Sequence, residues 1–162
     1  MNSPWQAAYY LLIVIIVTGF AIYDVKTKRV PDKALVSFCT VAFASPFIGV
    51  LITYSGAFCW SSVIIPLLLA FSGAAAGFII LLAGAIASHG GNGVGGGDIK
   101  LAAVLGFIYG PFGIIGILLI ASLLAMPAGL IRKKQSGSQA LSMAFVPFMA
   151  VGCTVITILR FL

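Results

Sequence analysis

The carboxylates of this chain are few, and their positions suggest acid–base chemistry. The only acids are Asp24, Asp32 and Asp98; Asp24 directly follows one apolar run and Asp98 directly precedes another. Ionisable groups at membrane depth are costly, about 2.5 to 3.5 kcal/mol on insertion scales, which makes a functional role the first hypothesis. Two facing carboxylates share a proton, so that one takes a proton from water while the other donates to a carbonyl. Asp24 and Asp98 therefore predict peptide hydrolysis without a metal or a covalent nucleophile.

Each acid also has a structural interpretation. Asp98 stands at a predicted helix N-terminus, where a carboxylate is often only a cap. Asp24 stands at a helix C-terminus, where the dipole disfavours negative charge, and its structural alternative is an ion pair with Lys28. Asp32 follows Pro31 and precedes an apolar run, which is typical of a helix cap.

The segment from His89 to Asp98 contains six glycines. Glycine permits close backbone approach, so we interpret this loop as a flexible segment that lets an extended peptide reach Asp98. The match of Gly91–Gly96 to the dinucleotide-binding pattern is weak, because no strand precedes it. His89 is the only histidine and has no partner ligands in sequence, so we expect no metal and no cofactor.

The composition indicates that lipid is the solvent for much of the chain. Apolar residues make up 62% of it and charged residues 7%, whereas soluble domains carry about 25% charge. The net charge of +6 comes from basic residues that lie mostly at the ends of apolar runs, which is the pattern of membrane topology signals. We therefore expect a lipid bilayer as a partner and no nucleic acid.

The apolar runs predict an all-α polytopic membrane protein with about six transmembrane helices. The predicted spans are Trp5–Tyr23, Ala34–Tyr54, Ser61–Ala87, Ile99–Tyr109, Phe112–Ile131 and Ala140–Leu159. The stretch 99–131 is open to a second interpretation as one long kinked helix, although the turn signal at 110–113 favours two short spans. Small residues four apart, Gly73 with Gly77 and Gly106 with Gly110, predict close helix contacts.

The basic residues set the expected orientation. Eight of the nine fall on or beside the loops 24–33, 88–98 and 132–139, and Arg160 is the exception. Because positive residues favour the cytoplasmic side, these loops are expected inside, with the N- and C-termini outside the cytoplasm. This places Asp24 and Asp98 at one membrane face.

Three stretches resemble the type IV prepilin peptidase family of Gly-X-Gly-Asp intramembrane aspartic proteases. The first is Gly95-Gly96-Gly97-Asp98, continued by Ile99-Lys100-Leu101. The second is Asp24 followed by Lys28-Arg29-Val30-Pro31, and the third is the Pro-Phe stretch 144–150. They occur in the family's order and extend from Asp24 to Gly152.

The resemblance implies a function and a set of site residues. It implies Asp24 and Asp98 as the catalytic aspartates, with motif support from Gly95, Gly97 and Lys100. Such enzymes remove the leader of prepilin or pseudopilin precursors at the cytoplasmic face of a bacterial or archaeal cytoplasmic membrane. It implies no cofactor, and homo-oligomerisation stays open.

The chain departs from the family pattern in two places. Asp32 stands where the family often has Asn after the proline, which keeps Asp32 as a conceivable participant. No region with paired C-x-x-C motifs precedes the first span, so the resemblance implies a single peptidase domain over residues 1–162, the short peptidase-only form. The alternatives are a small ion- or proton-coupled transporter and a non-catalytic subunit of a secretion machine.

Overall fold

The protein is all-helical, as the sequence predicts. The computed structural model describes residues 4–27, 32–48, 60–87, 95–136 and 144–162. These residues form the helices α1 (Pro4–Thr27), α2 (Asp32–Phe43), α3 (Trp60–Ala87), α4 (Gly96–Ser136) and α5 (Val146–Phe161). A short helical piece, 45–48, follows α2 after a turn at Ala44.

The helices carry the apolar surface expected of a membrane protein. Within the described residues, three helical stretches are long and apolar enough to cross a bilayer: Pro4–Thr27, Val63–Ala87 and Gly96–Gly129. Large apolar side chains on all three point away from the protein, among them Leu11, Leu68 and Leu123, which are 61%, 63% and 70% exposed. Backbone groups in lipid must be satisfied within the segment, which a helix achieves.

Helix α4 reverses its direction at Gly110. This residue has φ 73° and ψ 179°, a conformation that glycine adopts without steric penalty. A Cβ placed on Gly77 would lie 2.5 Å from the Ala102 carbonyl oxygen and 3.0 Å from Ile114 Cγ1. Ala102 and Ile114 would be about 18 Å apart along one continuous helix. Their common contact with Gly77 means that α4 consists of two antiparallel arms, 96–109 and 111–136.

This reversal decides between the two interpretations of the stretch 99–131 in favour of two segments. The first arm has about 14 residues and is only about 21 Å long, shorter than the roughly 30 Å hydrocarbon core. Pro111 begins the second arm, at a position where its missing N–H has no helical partner in any case. Whether each arm crosses the bilayer stays a prediction.

Contacts between α1 and its neighbours define two ends of the bundle. Asp24 lies beside the start of α5, whereas the Tyr10 ring lies 6.0 Å from the Phe161 ring at the end of α5, so these helices are antiparallel. Asp24 and Asp98 mark the aspartate end, and Tyr9, Tyr10 and Tyr109 mark the tyrosine end. The described chain therefore begins and finishes at the tyrosine end.

The small residues predicted at helix contacts do lie at a crossing. Gly73 of α3 and Gly106 of the first arm of α4 touch backbone to backbone, and each points its missing Cβ at the other's carbonyl oxygen. Such close approach is typical of small residues in membrane helix pairs. The contact fixes the arm that carries Asp98 against α3.

Two predicted spans differ from the observed helices because of proline. The second was predicted over Ala34–Tyr54, but α2 ends at Phe43, since the Pro46 ring clashes with the carbonyl four residues earlier in a continuing helix. Residues 49–54 lie outside the described part of the chain. The last span was predicted from Ala140, but α5 begins at Val146, with Pro147 in its first turn.

The other helix ends lie beyond the predicted ones or coincide with them. Helix α1 continues to Thr27 instead of stopping at Tyr23, and α4 begins at Gly96 instead of Ile99 and continues to Ser136. The third predicted span is confirmed to within one residue. Consequently Asp24 and Asp98 lie inside helical end turns and not in loops.

Candidate active site

Asp24 lies in the last turn of α1 and is buried. The helix continues past Asp24 because no glycine or proline follows until Pro31. Lys26 in the same turn also complements the negative end of the helix dipole. Its side chain is 4% exposed. A buried carboxylate at the C-terminus of its own helix is electrostatically disfavoured, which requires a compensating contact from elsewhere.

The start of α5 supplies that contact. The backbone N–H of Val146, the first residue of α5, donates to Asp24 Oδ2 at 3.4 Å. Phe145 at the N-cap position provides no side-chain cap, so a carboxylate from another helix takes the place that a capping residue would occupy. The positive end of the α5 dipole therefore faces Asp24 and offsets the effect of α1.

Val146 was not singled out by the sequence analysis. The stretch 144–150 entered only through its resemblance to the family. The physical signal was present, however, because Pro147 marks a helix start and neither Ala144 nor Phe145 can cap it. A helix start without its own cap needs an acceptor from elsewhere.

Asp98 lies in the first turn of α4 and is also buried, at 8% exposure. Its carboxylate accepts a hydrogen bond from the backbone N–H of Gly95, while its own backbone N–H donates to the Gly95 carbonyl oxygen at 3.0 Å. This is one half of a capping box, in which the third helical residue reaches back to the N-cap backbone; Gly95 has no side chain to supply the other half. The capping interpretation of Asp98 is therefore confirmed.

The two carboxyl groups are close enough to interact electrostatically, although α1 and α4 are far apart in sequence. Each accepts one backbone N–H, and among the described residues no buried side-chain nitrogen or oxygen lacks a partner. Like charges near each other in a buried site do not both ionise easily, so each carboxyl group disfavours ionisation of the other.

The other predicted site residues occupy supporting positions or lie outside the described residues. Gly95 is the N-cap of α4, Gly97 lies half-buried in its first turn, and Lys100 is exposed on the same arm. The glycine loop 88–94, Lys28 and the Asp32 side chain are outside the described part. Across the ranges described, no three His, Cys, Asp or Glu side chains come together as a metal site would require.

A groove between α1 and α2 extends as far as Tyr23, the residue before Asp24, but Asp24 itself does not line it. It has a volume of about 460 Å³ and is mostly apolar. Tyr23, the immediate neighbour of Asp24, and Phe20, one turn earlier, both line it. The remaining lining residues are Ile16, Gly19, Ala34, Ser37, Phe38 and Val41. Side chains of both helices therefore form an apolar channel that leads toward the aspartate end.

Comparison with known proteins identifies a family for the chain. The sequence profile of the type IV leader peptidase family matches residues 9–130, which include both aspartates. A Prepilin leader peptidase/N-methyltransferase of Bacillus subtilis (strain 168) is 36% identical over 107 residues, which cover 65% of this chain and 36% of the relative. The chain thus aligns with about a third of that relative's length. No solved structure gives a significant match. From the profile match, the chain belongs to the type IV leader peptidase family.

Proposed function

We propose that this protein is an aspartic endopeptidase that removes the leader peptide of prepilin-like or pseudopilin precursors, with Asp24 and Asp98 as its catalytic pair. The observation that carries the proposal is that two buried carboxyl groups, on helices distant in sequence, are close enough for their charges to interact. Helix capping by Asp98 accounts for neither the burial of Asp24 nor the electrostatic interaction between the two acids. Family membership and the name of the bacterial relative point to the same activity.

The chemistry would follow from a single shared proton. The ionised carboxylate takes a proton from a water molecule as that water attacks the scissile carbonyl carbon, and the protonated carboxyl donates its proton to the carbonyl oxygen. As the C–N bond breaks, the carboxyl that took the proton from water gives it to the leaving amine. The other carboxylate takes a proton from a hydroxyl of the tetrahedral intermediate as the new carboxylic acid forms, which restores the pair to one proton. The N–H groups of Val146 and Gly95 hold the two carboxyl groups in place without neutralising them.

The groove between α1 and α2 is a candidate surface for the substrate. It offers apolar side chains and ends at Tyr23, the residue before Asp24. An extended peptide has unpaired N–H and C=O groups, which backbone can satisfy by adding alongside it. Gly96, exposed in the first turn of α4, lies two residues before Asp98, and the first N–H groups of a helix have no partner within the helix.

The distribution of positive charge supports cleavage at the cytoplasmic face. Lys26 ends α1 and Lys100 lies in the first arm of α4, both toward the aspartate end. Arg132, Lys133 and Lys134 fall in the last turns of the second arm, which runs toward the same end. Basic residues concentrate on the cytoplasmic side of membrane proteins, so the aspartate end is proposed to face the cytoplasm.

The proposal is tested by replacing each aspartate with asparagine and co-expressing the variants with a candidate prepilin. Asn keeps an acceptor for the Val146 or Gly95 N–H but cannot exchange a proton. Acid–base catalysis contributes about 10²- to 10⁴-fold per group, so Asp24→Asn or Asp98→Asn should reduce leader removal to near background. The double variant should be scarcely worse than either single one, because groups that act as a unit are not additive.

Asp32→Asn is the matched control. It makes the same chemical change in the third acid, at the first residue of α2, where Asn caps a helix about as well as Asp. Cleavage by this variant should stay near normal at equal membrane levels of protein. Normal cleavage by Asp24→Asn, or inactivity confined to Asp32→Asn, would refute the assignment.

A further inference from the structure

The two aspartates belong to different pairs of packed helices. Asp24 of α1 accepts the Val146 N–H of α5, so its carboxyl group is tied to the α1–α5 pair. Asp98 begins the first arm of α4, which is fixed against α3 by the contact of Gly73 with Gly106. The separation of the carboxyl groups therefore depends on how α5 packs against α4.

Gly152 lies where α5 meets the second arm of α4. It is buried, and a Cβ placed on it would lie 2.6 Å from the Ile117 carbonyl oxygen and 3.3 Å from both the carbonyl carbon and the Cα of Ile117. These three atoms belong to the backbone of a helix and cannot rotate away as the end of a side chain does. A residue without a side chain is therefore needed for α5 to approach α4 this closely.

This close contact is connected to both aspartates. Val146 precedes Gly152 by about six residues, which is about 9 Å along α5. The second arm of α4 is tied to the arm that carries Asp98, because Gly77 of α3 contacts both arms. A displacement of α5 at Gly152 either carries Asp24 away together with α1 or withdraws the Val146 N–H from it. Both outcomes change the position of one carboxyl group relative to the other.

We propose that Gly152 is a positioning residue for peptide cleavage, which sets the separation of the Asp24 and Asp98 carboxyl groups through the depth at which α5 packs on α4. This inference rests on the proposed function, because it assigns a role in the reaction of that carboxyl pair. Acid and base must both lie within hydrogen-bond reach of the groups with which they exchange protons. A misplacement of about 1 Å can lower a rate by about 10²-fold.

The test is cleavage of a candidate prepilin by the purified Gly152→Ala chain in detergent. A carbon atom is in ordinary contact with an oxygen at about 3.4 Å, so the new methyl group requires about 0.8 Å more room beside the Ile117 carbonyl. Alanine is also a better helix former than glycine, which favours folding of the variant. The value of kcat should fall by about 10²-fold, and KM should stay within about three-fold, because only the arrangement for the chemical step is lost.

The pH dependence of kcat/KM is the second readout. The interaction between two nearby carboxyl groups sets the separation of their two protonation steps. A changed distance between the groups should therefore shift the limbs of the pH profile in Gly152→Ala. A smaller folded fraction would lower the profile and leave its limbs in place.

Gly116→Ala is the matched control, because it makes the same change at the contact between the same two helices. A Cβ on Gly116 would lie 2.8 Å from Ile156 Cδ1, which is the end of a flexible side chain. That side chain can move into another rotamer, so the helices need not separate. The kcat value and the pH profile of Gly116→Ala should stay near those of the unmodified chain.

If Gly152→Ala does not fold, Ile156→Phe replaces it, because a larger side chain facing Gly116 also forces α5 away from α4. Unchanged kcat or unmoved limbs in the variant that folds would overturn the positioning role. A loss in Gly116→Ala as large as that in Gly152→Ala would also overturn it, because the control requires no separation of the helices. Normal cleavage by Gly152→Ala beside inactive Asp24→Asn and Asp98→Asn would overturn the positioning role alone. Active aspartate variants would refute the proposed function and this role with it.

Discussion

The contact between Gly73 and Gly106 predicts a large effect from the smallest possible substitution. In Gly73→Ala the new methyl group would overlap the Gly106 carbonyl oxygen. It would also lie 2.7 Å from the carbonyl carbon of Gly110 and 2.8 Å from the Cα of Gly110. Carbon atoms prefer separations of about 3.5 to 4.0 Å. All three obstacles are backbone atoms, so the helices must separate by about 1 Å to admit the methyl group.

The expected magnitude follows from two opposing terms. Overpacking of a well-packed contact destabilises by about 1 to 3 kcal/mol. Replacing a helical glycine by alanine stabilises by up to about 1 kcal/mol. The net expectation for Gly73→Ala is a loss of about 1 to 2 kcal/mol in the free energy of unfolding.

Gly84→Ala is the matched control, because it makes the same change in α3 where a Cβ would meet nothing within 4 Å. Thermal unfolding of both variants in the same detergent is the assay. Gly84→Ala should unfold at or slightly above the midpoint of the unmodified chain. Gly73→Ala should unfold several degrees lower, since about 1 kcal/mol shifts the midpoint by roughly 2 to 4 °C in a protein of this size.

Leader removal provides a second readout of the same substitution. Gly106 belongs to the arm that begins with Asp98, so a shift of this arm moves Asp98 relative to Asp24. Misplacement by about 1 Å can reduce a rate by about 10²-fold. If Gly73→Ala unfolds at the same temperature as Gly84→Ala and cleaves normally, the close contact and its role in holding Asp98 are both refuted.

Three other predictions concern packing, topology and chemistry. Tyr109→Phe removes a hydroxyl that lies 2.6 Å from Thr157 Oγ1 and 3.1 Å from Cys153 Sγ. Its loss should destabilise the protein by about 1 kcal/mol in thermal unfolding, and an unchanged midpoint would contradict this. A reporter fused after Lys134 should read cytoplasmic and one at the C-terminus external, and identical readings would rule out the alternating arrangement. Leader removal should persist in EDTA, and inhibition reversed by added zinc would disprove the carboxyl-pair mechanism.

The composition and the spacing of apolar runs were enough to predict helices in lipid. Apolar residues in such excess have no stable alternative, because a backbone in hydrocarbon must pair with itself. The helix ends were less predictable where proline interrupts an apolar run. The apolar run from Ala34 continues past Pro46. Hydrophobicity alone does not show that Pro46 lacks an N–H and that its ring clashes with the preceding turn, which ends α2 at Phe43.

The reversal at Gly110 was indicated by sequence but decided by packing. Glycine followed by proline marks a turn, yet the same pair also occurs at a kink within a helix. The simultaneous contact of Gly77 with Ala102 and Ile114 requires the two arms to lie side by side. Only tertiary structure contains that information, because it depends on a third helix.

The sequence by itself determined which groups can carry the chemistry, because only three acids exist and the glycine motif marks one of them. It did not determine their environment. Asp24 is at an unfavourable helix terminus, and only the tertiary structure places the N–H of Val146 and the positive end of α5 against it. Likewise only the fold brings Asp98 close enough to Asp24 for the two carboxyl groups to interact. Residue types are local properties of the chain, whereas the field at a buried carboxyl is the sum of contributions from helices that the chain brings together only on folding.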